Sequence, residues 1–326
     1  MKILQTVFKT LLPLLLGGAI LWWMYRGFDF DSIRHVMTDG MNWAWMLLSL
    51  PFGFLAQACR GIRWRQTLEP IGERCRTATA IDAILMSYAA SLVVPRIGEF
   101  TRCGVLRRWD GVSFAKALGT VVTERAVDML VVAVFSAATL LVEMSIFGTF
   151  FRKTGTSLDR ILSGFSLTGY LVTAVCAVAA LLLLHLLLRR LSVYDRVKTT
   201  LGGIWEGVIS LKDVENLPLF IALTIGIWGS YFLHFYLTFF CFEATADLGI
   251  ACAMVCFVVG SIAVIVPTPN GAGPWHFAVK TMLMLYGVAE PEALYFVLIV
   301  HTLQTLLVVL LGIGAWIHLN FTTTIK

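Results

Sequence analysis

The sequence predicts an all-α polytopic integral membrane protein of six to eight transmembrane helices, including two broken or re-entrant hairpins. Three observations carry this. Mean hydropathy is +0.83, and 58% of the residues are hydrophobic against 14% charged, a balance outside that of ordinary globular domains. Several windows exceed the ~18 apolar residues that mark a bilayer-spanning helix. The apolar runs are also interrupted by proline and glycine at two places, around Pro95–Gly98 and across residues 267–273. No soluble segment is long enough to fold separately, so residues 1–326 read as one membrane domain. The net charge of +5 falls mostly between apolar runs and reports orientation rather than nucleic-acid binding. The seven cysteines are scattered without CxxC spacing, which supports neither a disulfide framework nor a zinc site. No cofactor or metal is expected.

The first stretch, MKILQTVFKTLLPLLLGGAILWWMYRG, sets Lys2 and Lys9 before an apolar run, as a signal sequence would. It lacks a small-residue cleavage site, and Trp22, Trp23 and Tyr25 suit an interfacial belt, so a retained first span is expected. A second span covers residues 43–59 and ends in RGIRWRQ. Beyond it, Arg60, Arg63, Arg65, Arg74 and Arg76 outnumber Glu69 and Glu73, which predicts a cytoplasmic loop and a cytoplasmic N-terminus. The short apolar run 79–94 contains Asp82, Ser87, Tyr88 and Ser91, and a second basic segment, 96–116, follows it. Two positive segments around one short run fit a hairpin that enters and leaves on the cytoplasmic side, broken at Pro95 and Gly98. A simple crossing is the alternative.

Residues 115–144 form a long span, 157–160 an outer loop, and 167–188 a return span. Residues 192–216 read as an amphipathic helix on the inner membrane surface. Pro218 opens the next span at its first turn, and that span runs to Phe242. Residues 251–266, the break PTPNGAGPWHF and residues 278–288 make a second interrupted hairpin, entered from the outer side and so opposite in orientation to the first. Residues 292–318 form the last span, leaving the C-terminus cytoplasmic. A shift of 177 positions places His276 on Glu99 and His301 on Glu124. Apolar helices match one another easily, yet the polar coincidences raise the expectation of an inverted repeat, in which paired broken helices point to a midplane site.

The candidate site is the charged stretch from Ser91 to Asp128 with its counterpart at the second break. Intramembrane charges are costly enough to imply partners or water-filled space. Arg96, Arg102 and Arg125 supply guanidinium forks suited to an anionic phosphate head group; plain positive-inside topology is the competing reading for Arg96 and Arg102. Glu124 and Asp128 lie four apart on one helix face and would repel unless a cation sits between or beside them. Arg125 can pair with Asp128, which a purely structural ion pair also explains. Glu99 and His276 are expected to approach each other across the cavity, with His276 as the group able to titrate near neutral pH. Weaker candidates are His185, expected to snorkel, His234, expected to pack, and Gln57, Asp82 and Gln304, which would line the cavity or bond between helices.

Pro95-Arg96-Ile97-Gly98-Glu99, then Arg102, then Glu124-Arg125-Ala126-Val127-Asp128, resembles the signature of the lysylphosphatidylglycerol synthase membrane domain. The break Pro267-Thr268-Pro269-Asn270-Gly271-Ala272-Gly273 is similar to that family's second motif. The resemblance implies a flippase-like domain that binds an anionic phospholipid or a polyprenyl-linked lipid, set in the inner cell membrane and accompanied by a separate lipid-modifying enzyme. It does not imply lysyl transfer, because nothing in the chain resembles the family's soluble aminoacyl-transferase domain. The family's second motif usually carries a glutamate where this chain has His276. Two other classes stay open. A membrane enzyme acting on a lipid phosphate could use Glu99, Glu124 and His276 as acid and base groups, and a non-transporting scaffold could serve a partner enzyme.

Overall fold

The computed structural model describes residues 15, 17–26, 31–144 and 214–321. The expected elements at 157–160, 167–188 and 192–213, and His185, lie outside them. Among the described residues the chain is helical, with one isolated bridge between Met41 and Phe242 and no strand. In chain order the helices are α1 (17–25), α2 (Asp31–Thr38), α3 (Trp43–Leu68), α4 (Thr77–Val93), α5 (Gly98–Asp110) and α6 (Phe114–Val142). They continue as α7 (Leu217–Tyr236), α8 (Gly249–Ala263), α9 (Pro274–Leu285) and α10 (Glu290–Phe321). The protein is an all-α membrane protein. Helices α6, α10 and α7 with its one-turn extension to Cys241 are each long and apolar enough to cross a bilayer. Their outer faces carry Met129, Leu130, Val134, Ile225, Leu310 and Trp316 exposed, a larger apolar surface than soluble monomers present.

Local chemistry sets the helix ends. Asn42 caps α3 by accepting from the Ala44 N–H at 3.1 Å, and Asn216 caps α7 by accepting from the Leu219 N–H at 3.0 Å, with Pro218 in the first turn. α3 does not stop at residue 59 as expected. It runs on to Leu68, so Arg60 and Arg63 are buried helix residues rather than loop residues. The reason lies in the next chain segments: acidic partners on α6 make burial of those arginines possible, and the segment holds no proline before Pro70.

Helices α4 and α5 form a hairpin whose ends meet. Asp110 at the end of α5 accepts from the Arg76 backbone N–H and from its Nε, both at 2.8 Å, just before α4 begins. Lys116 pairs with Glu73 at 2.9 Å beside this closure. Burial pushes the Glu73 carboxyl up, but the Lys116 ammonium and the Ser113 N–H outweigh it and hold the carboxyl below its ordinary value. At the other end, the chain turns through Val94 to Ile97. There the Ser91 hydroxyl donates to the Ser87 carbonyl at 2.9 Å and accepts from the Gly98 N–H at 3.2 Å. α8 and α9 fold back on each other across their own break, with Gly260 against Trp275 and Val279.

The two breaks touch. The Arg96 Nη2 donates to the Ile265 carbonyl at 3.1 Å, and Arg96 and Asn270 are the two non-glycine residues with positive φ among the described residues, at 66° and 50°. The same order of elements occurs twice, as a long helix, a broken hairpin and a second long helix. Shifting by 177 positions carries Gly98 to Trp275 and Phe114 to Pro291, each one residue past the starts of α9 and α10. α3 and α7 pack antiparallel, through Arg63 Nη1 to Thr224 Oγ1 at 3.2 Å near one end and His234 Nδ1 to the Ser49 carbonyl at 2.8 Å near the other.

The hairpin depends on a residue without a side chain at its turn. A Cβ at Gly98 would run into the Ser87 carbonyl oxygen and Ser91 Oγ, whereas one at Gly104 on the same helix meets nothing within 4 Å. Gly98→Ala is expected to destabilise by ~1–3 kcal/mol through overpacking, and Gly104→Ala to leave stability unchanged or raised. Thermal unfolding of the two variants in detergent checks the difference.

Candidate functional site

The site is built by three helices that each contribute charge. α3 presents Arg60 and Arg63, three apart and so on one face, and α6 presents Glu124 and Asp128, four apart. α5 adds Arg102. Asp128 accepts from Arg60 Nη1 at 2.5 Å and from Arg63 Nη2 at 2.8 Å. Arg63 Nη2 also lies 3.5 Å from Glu124 Oε1, and Glu124 Oε2 accepts from Arg102 Nη1 at 2.5 Å. All five groups are buried, Arg63 and Glu124 completely. The cation expected between Glu124 and Asp128 is therefore Arg63.

Aromatic and hydroxyl groups fix these cations in place. The Arg60 guanidinium lies over the Tyr231 ring at 5.8 Å, and the Tyr231 and Tyr88 hydroxyls are 2.9 Å apart, bridging α7 and α4. Phe220 lies 5.6 Å from the Arg63 guanidinium. Arg102 stacks on Trp64 at 4.7 Å, and the Trp64 indole N–H donates to Thr120 Oγ1 at 2.9 Å.

At the margin, Arg125 donates from Nε to Glu99 Oε1 at 3.0 Å. This pair is partly exposed, at 43% and 36% of the side chains, and lies at the edge of the cluster. The expected Arg125–Asp128 ion pair is present, at 3.8 Å. Asp128 is instead held by the α3 arginines, which lie closer in space although 65 and 68 positions away in sequence. Arg102 is not a surface arginine of a basic loop but a buried partner of Glu124, and Arg96 is spent on the Ile265 carbonyl.

His276 sits elsewhere. Its ring centroid is 4.4 Å from that of His301 and 6.3 Å from that of Tyr25, and its Nδ1 accepts from the Gly273 N–H at 3.4 Å. No hydrogen bond or ion pair joins it to Glu99. Of the weaker candidates, His234 packs as expected, Gln304 donates to the His234 carbonyl at 3.3 Å, and Asp82 pairs with His318 at 2.6 Å between α4 and α10. Gln57, one turn before Arg60 on α3, is buried.

Arg60 and Arg63 are the residues that sequence reasoning placed outside the site. A usable signal was present in Gln57, Arg60 and Arg63, which recur every three positions directly after an apolar helix with no proline between. Chemically, the site is a set of guanidiniums and carboxylates held in mutual pairing in low-dielectric surroundings, where such pairing is stronger than in water. Among the described residues no group of three or more His, Cys, Asp or Glu side chains is placed to hold a metal.

Asp128 is the keystone, since both α3 arginines depend on it. Asp128→Asn is expected to cost ~3–5 kcal/mol, because it strands the buried Arg60 and leaves Arg63 only Glu124 at 3.5 Å. Glu99→Gln at the half-exposed margin is expected to cost about 0–1 kcal/mol. Denaturation midpoints of the two variants measured side by side give the comparison, and equal losses would contradict the burial difference.

Comparison with known proteins now adds to the geometry. A family described as the lysylphosphatidylglycerol synthase TM region matches residues 10–312. The protein is also 25% identical over 295 residues to "Glycosyltransferase AglD" of Haloferax volcanii, an alignment covering 81% of this chain and 47% of that protein. The chain thus spans about half the length of that curated relative. No solved structure matches it. With the family covering the charged α3–α6 cluster and both hairpins, the chain belongs to the lysylphosphatidylglycerol synthase TM region family.

Proposed function

We propose that the protein is a flippase-like membrane protein that binds the head group of an anionic phospholipid or a polyprenyl-phosphate-linked lipid and carries it across the inner cell membrane. The observation that carries this is the buried cluster of Arg60, Arg63, Arg102, Glu124 and Asp128, set among helices whose outer faces are apolar. Intramembrane ionisable groups mark substrate pathways more often than packing, because their burial is costly. The Glu99–Arg125 pair at the margin gives a charged head group its entry, and the apolar outer faces let the acyl or prenyl chains stay in lipid.

In this proposal α3–α6 and α7–α10 are two halves of an inverted repeat. The antiparallel packing of α3 on α7 and the 177-residue recurrence support it, as does the contact between the two breaks. Broken helices at corresponding positions of two halves are the arrangement used by transporters that bind near the midplane. The α4–α5 hairpin is then re-entrant from the cytoplasmic side, with Arg74, Arg76, Arg107 and Arg108 gathered at its open end and both termini cytoplasmic.

A second reading has its own support. The relative from Haloferax volcanii is named a glycosyltransferase and is about twice the matched length, so this domain could instead serve an enzyme that works on a sugar-linked lipid. Proteoliposomes carrying a fluorescent anionic phospholipid separate the readings. The flippase reading expects transfer across the bilayer well above protein-free vesicles, with roughly tenfold loss in Asp128→Asn protein that retains its native elution profile. Chemical conversion of the lipid would place the protein among enzymes, and neither outcome would leave the scaffold role. For the topology, single cysteines at positions 74 and 107 are expected to react with an impermeant maleimide only from the cytoplasmic side. Reaction at position 107 from outside intact cells would turn the hairpin into a crossing.

A further inference from the structure

Helices α3–α6 meet α7–α10 mainly through hydrogen bonds that end on a carbonyl or a hydroxyl. Arg63 reaches Thr224, Tyr88 meets Tyr231, Arg96 reaches the Ile265 carbonyl, and the His234 ring meets the Ser49 carbonyl. Among the described residues one ion pair joins the two sets, Asp82 Oδ2 on α4 to His318 Nδ1 on α10 at 2.6 Å. Its cation is an imidazole, the side chain whose charge changes between about pH 5 and pH 8.

The pair sits where α10 holds the first hairpin. Gly312 of α10 lies against Ala89 and the Leu85 carbonyl of α4 with no room for a Cβ, and Asp82, Leu85 and Ala89 share one face of α4. Further along α10, His318 meets Asp82, and the next residue, the buried Leu319, gives its carbonyl to the Trp109 indole N–H of α5 at 2.7 Å. The last turn of α10 thus grips both helices of the hairpin near its closed ends.

The other charged groups around this corner are committed elsewhere or lack an acid. Arg76 pairs with Asp110, Lys116 with Glu73 and Arg65 with Glu69. Arg60 and Arg63 of α3 are taken by Asp128, and Lys280 of α9 pairs with Glu290 at the opposite end of α10. The thiols of Cys75 and Cys103 interact with Asp110 and Arg102 instead. Arg74, Arg107 and Arg108 are exposed at this end. The His318 side chain is 56% exposed and that of Asp82 10%, so the ring exchanges protons with its surroundings while the acid is shielded. An ionised carboxylate can only accept, so Nδ1 carries a hydrogen and donates to Asp82. An arriving proton therefore goes to Nε2 and turns a neutral ring into an imidazolium.

We propose that Asp82 and His318 form a proton-binding link between the two halves, ionic when Nε2 is protonated and a hydrogen bond from a neutral ring when it is not. The ionic form is the stronger of the two. Proton binding thus tightens α4 on α10, and with it the turn that holds α5 through Trp109. Because the proton binds the linked form more tightly, the link is strongest below the imidazole range and fades as pH rises through it. The link lies within the protein itself, so its test is separate from that of lipid transfer.

NMR of the full chain in uncharged detergent, with nitrogen-labelled histidine, follows the His318 ring, identified by its absence in His318→Gln. The proposal expects this ring to take up its Nε2 proton between about pH 8 and pH 5. Unfolding midpoints of Asp82→Asn, His318→Gln and the double variant then measure the link as a double-mutant cycle. The coupling is expected to be about 2 °C at the acid end of that range and to shrink several-fold at the alkaline end. His318→Lys carries its charge throughout and is expected to keep its coupling to Asp82 at the alkaline end. A His318 ring that does not titrate in this range overturns the proposal, as does a coupling equal at both ends. So does His318→Lys losing its coupling in step with histidine. Because the ring titration is read on the unaltered protein, a variant that fails to fold does not shield the idea.

Discussion

Arg63 is completely buried, and the rest of this structure follows from the need to keep it paired. A guanidinium in apolar surroundings must have carboxylates within reach, and Arg63 has two, Asp128 at 2.8 Å and Glu124 at 3.5 Å. Both acids sit one turn apart on α6, so one nitrogen reaches both and that face of α6 is turned toward α3. Arg60 then shares Asp128, and Arg102 balances the far oxygen of Glu124, which draws α5 against α6. Three helices are thus oriented by charge where apolar side chains alone would tolerate several rotations. The hydrophobic clusters on either side, around Trp64 and Leu106 and around Phe239 and Phe296, fill space once those rotations are set.

The broken helices answer a second constraint, that backbone groups freed inside an apolar region must find partners within the protein. At the first break Ser91 does this twice, donating to the Ser87 carbonyl and accepting from the Gly98 N–H. At the second, the Ile265 carbonyl just beyond the end of α8 receives the Arg96 guanidinium. A cation at a helix C-terminus is also favoured by the partial negative charge of the last carbonyls. Arg96 holds a left-handed conformation to make that contact, so the turn of one hairpin is shaped by the end of the other. The two halves are joined at their breaks as well as along α3 and α7.

These constraints explain what could be read in the sequence. The breaks were legible because proline and glycine announce them: the run 79–94 became Thr77–Val93, and 251–266 became Gly249–Ala263. The acids of α6 were legible because charge inside the apolar run 115–144 calls for partners whether its role is structural or functional, and that run became Phe114–Val142. Arg60 and Arg63 were not legible as site residues. Arginines after an apolar stretch are what a cytoplasmic loop looks like, and only the carboxylates 65 and 68 positions later reveal otherwise. The expected Arg125–Asp128 pair is present at 3.8 Å, but the shorter partners of Asp128 were hidden for the same reason. Arg125 is Asp128's nearest arginine in sequence and reaches it at 3.8 Å, yet helix packing delivers Arg60 and Arg63 closer and sets Arg125 at 3.0 Å from Glu99.

The two halves use the same order of elements but are held together differently. In the first, α5 meets α6 through Arg102–Glu124 and Glu99–Arg125. The residues at the shifted positions, His276 and His301, join α9 to α10 by ring contact at 4.4 Å, with Trp275 5.2 Å from His301 and His301 Nε2 bonded to the Asn270 carbonyl at 3.0 Å. Those rings are held by packing and one backbone hydrogen bond each, whereas the carboxylates of α6 are held by guanidiniums. α9 and α10 carry one ion pair, Lys280 to Glu290 at 2.8 Å, whereas the buried multi-residue cluster lies on α3, α5 and α6, and the Ile265 carbonyl beyond α8 is joined to the first hairpin through Arg96.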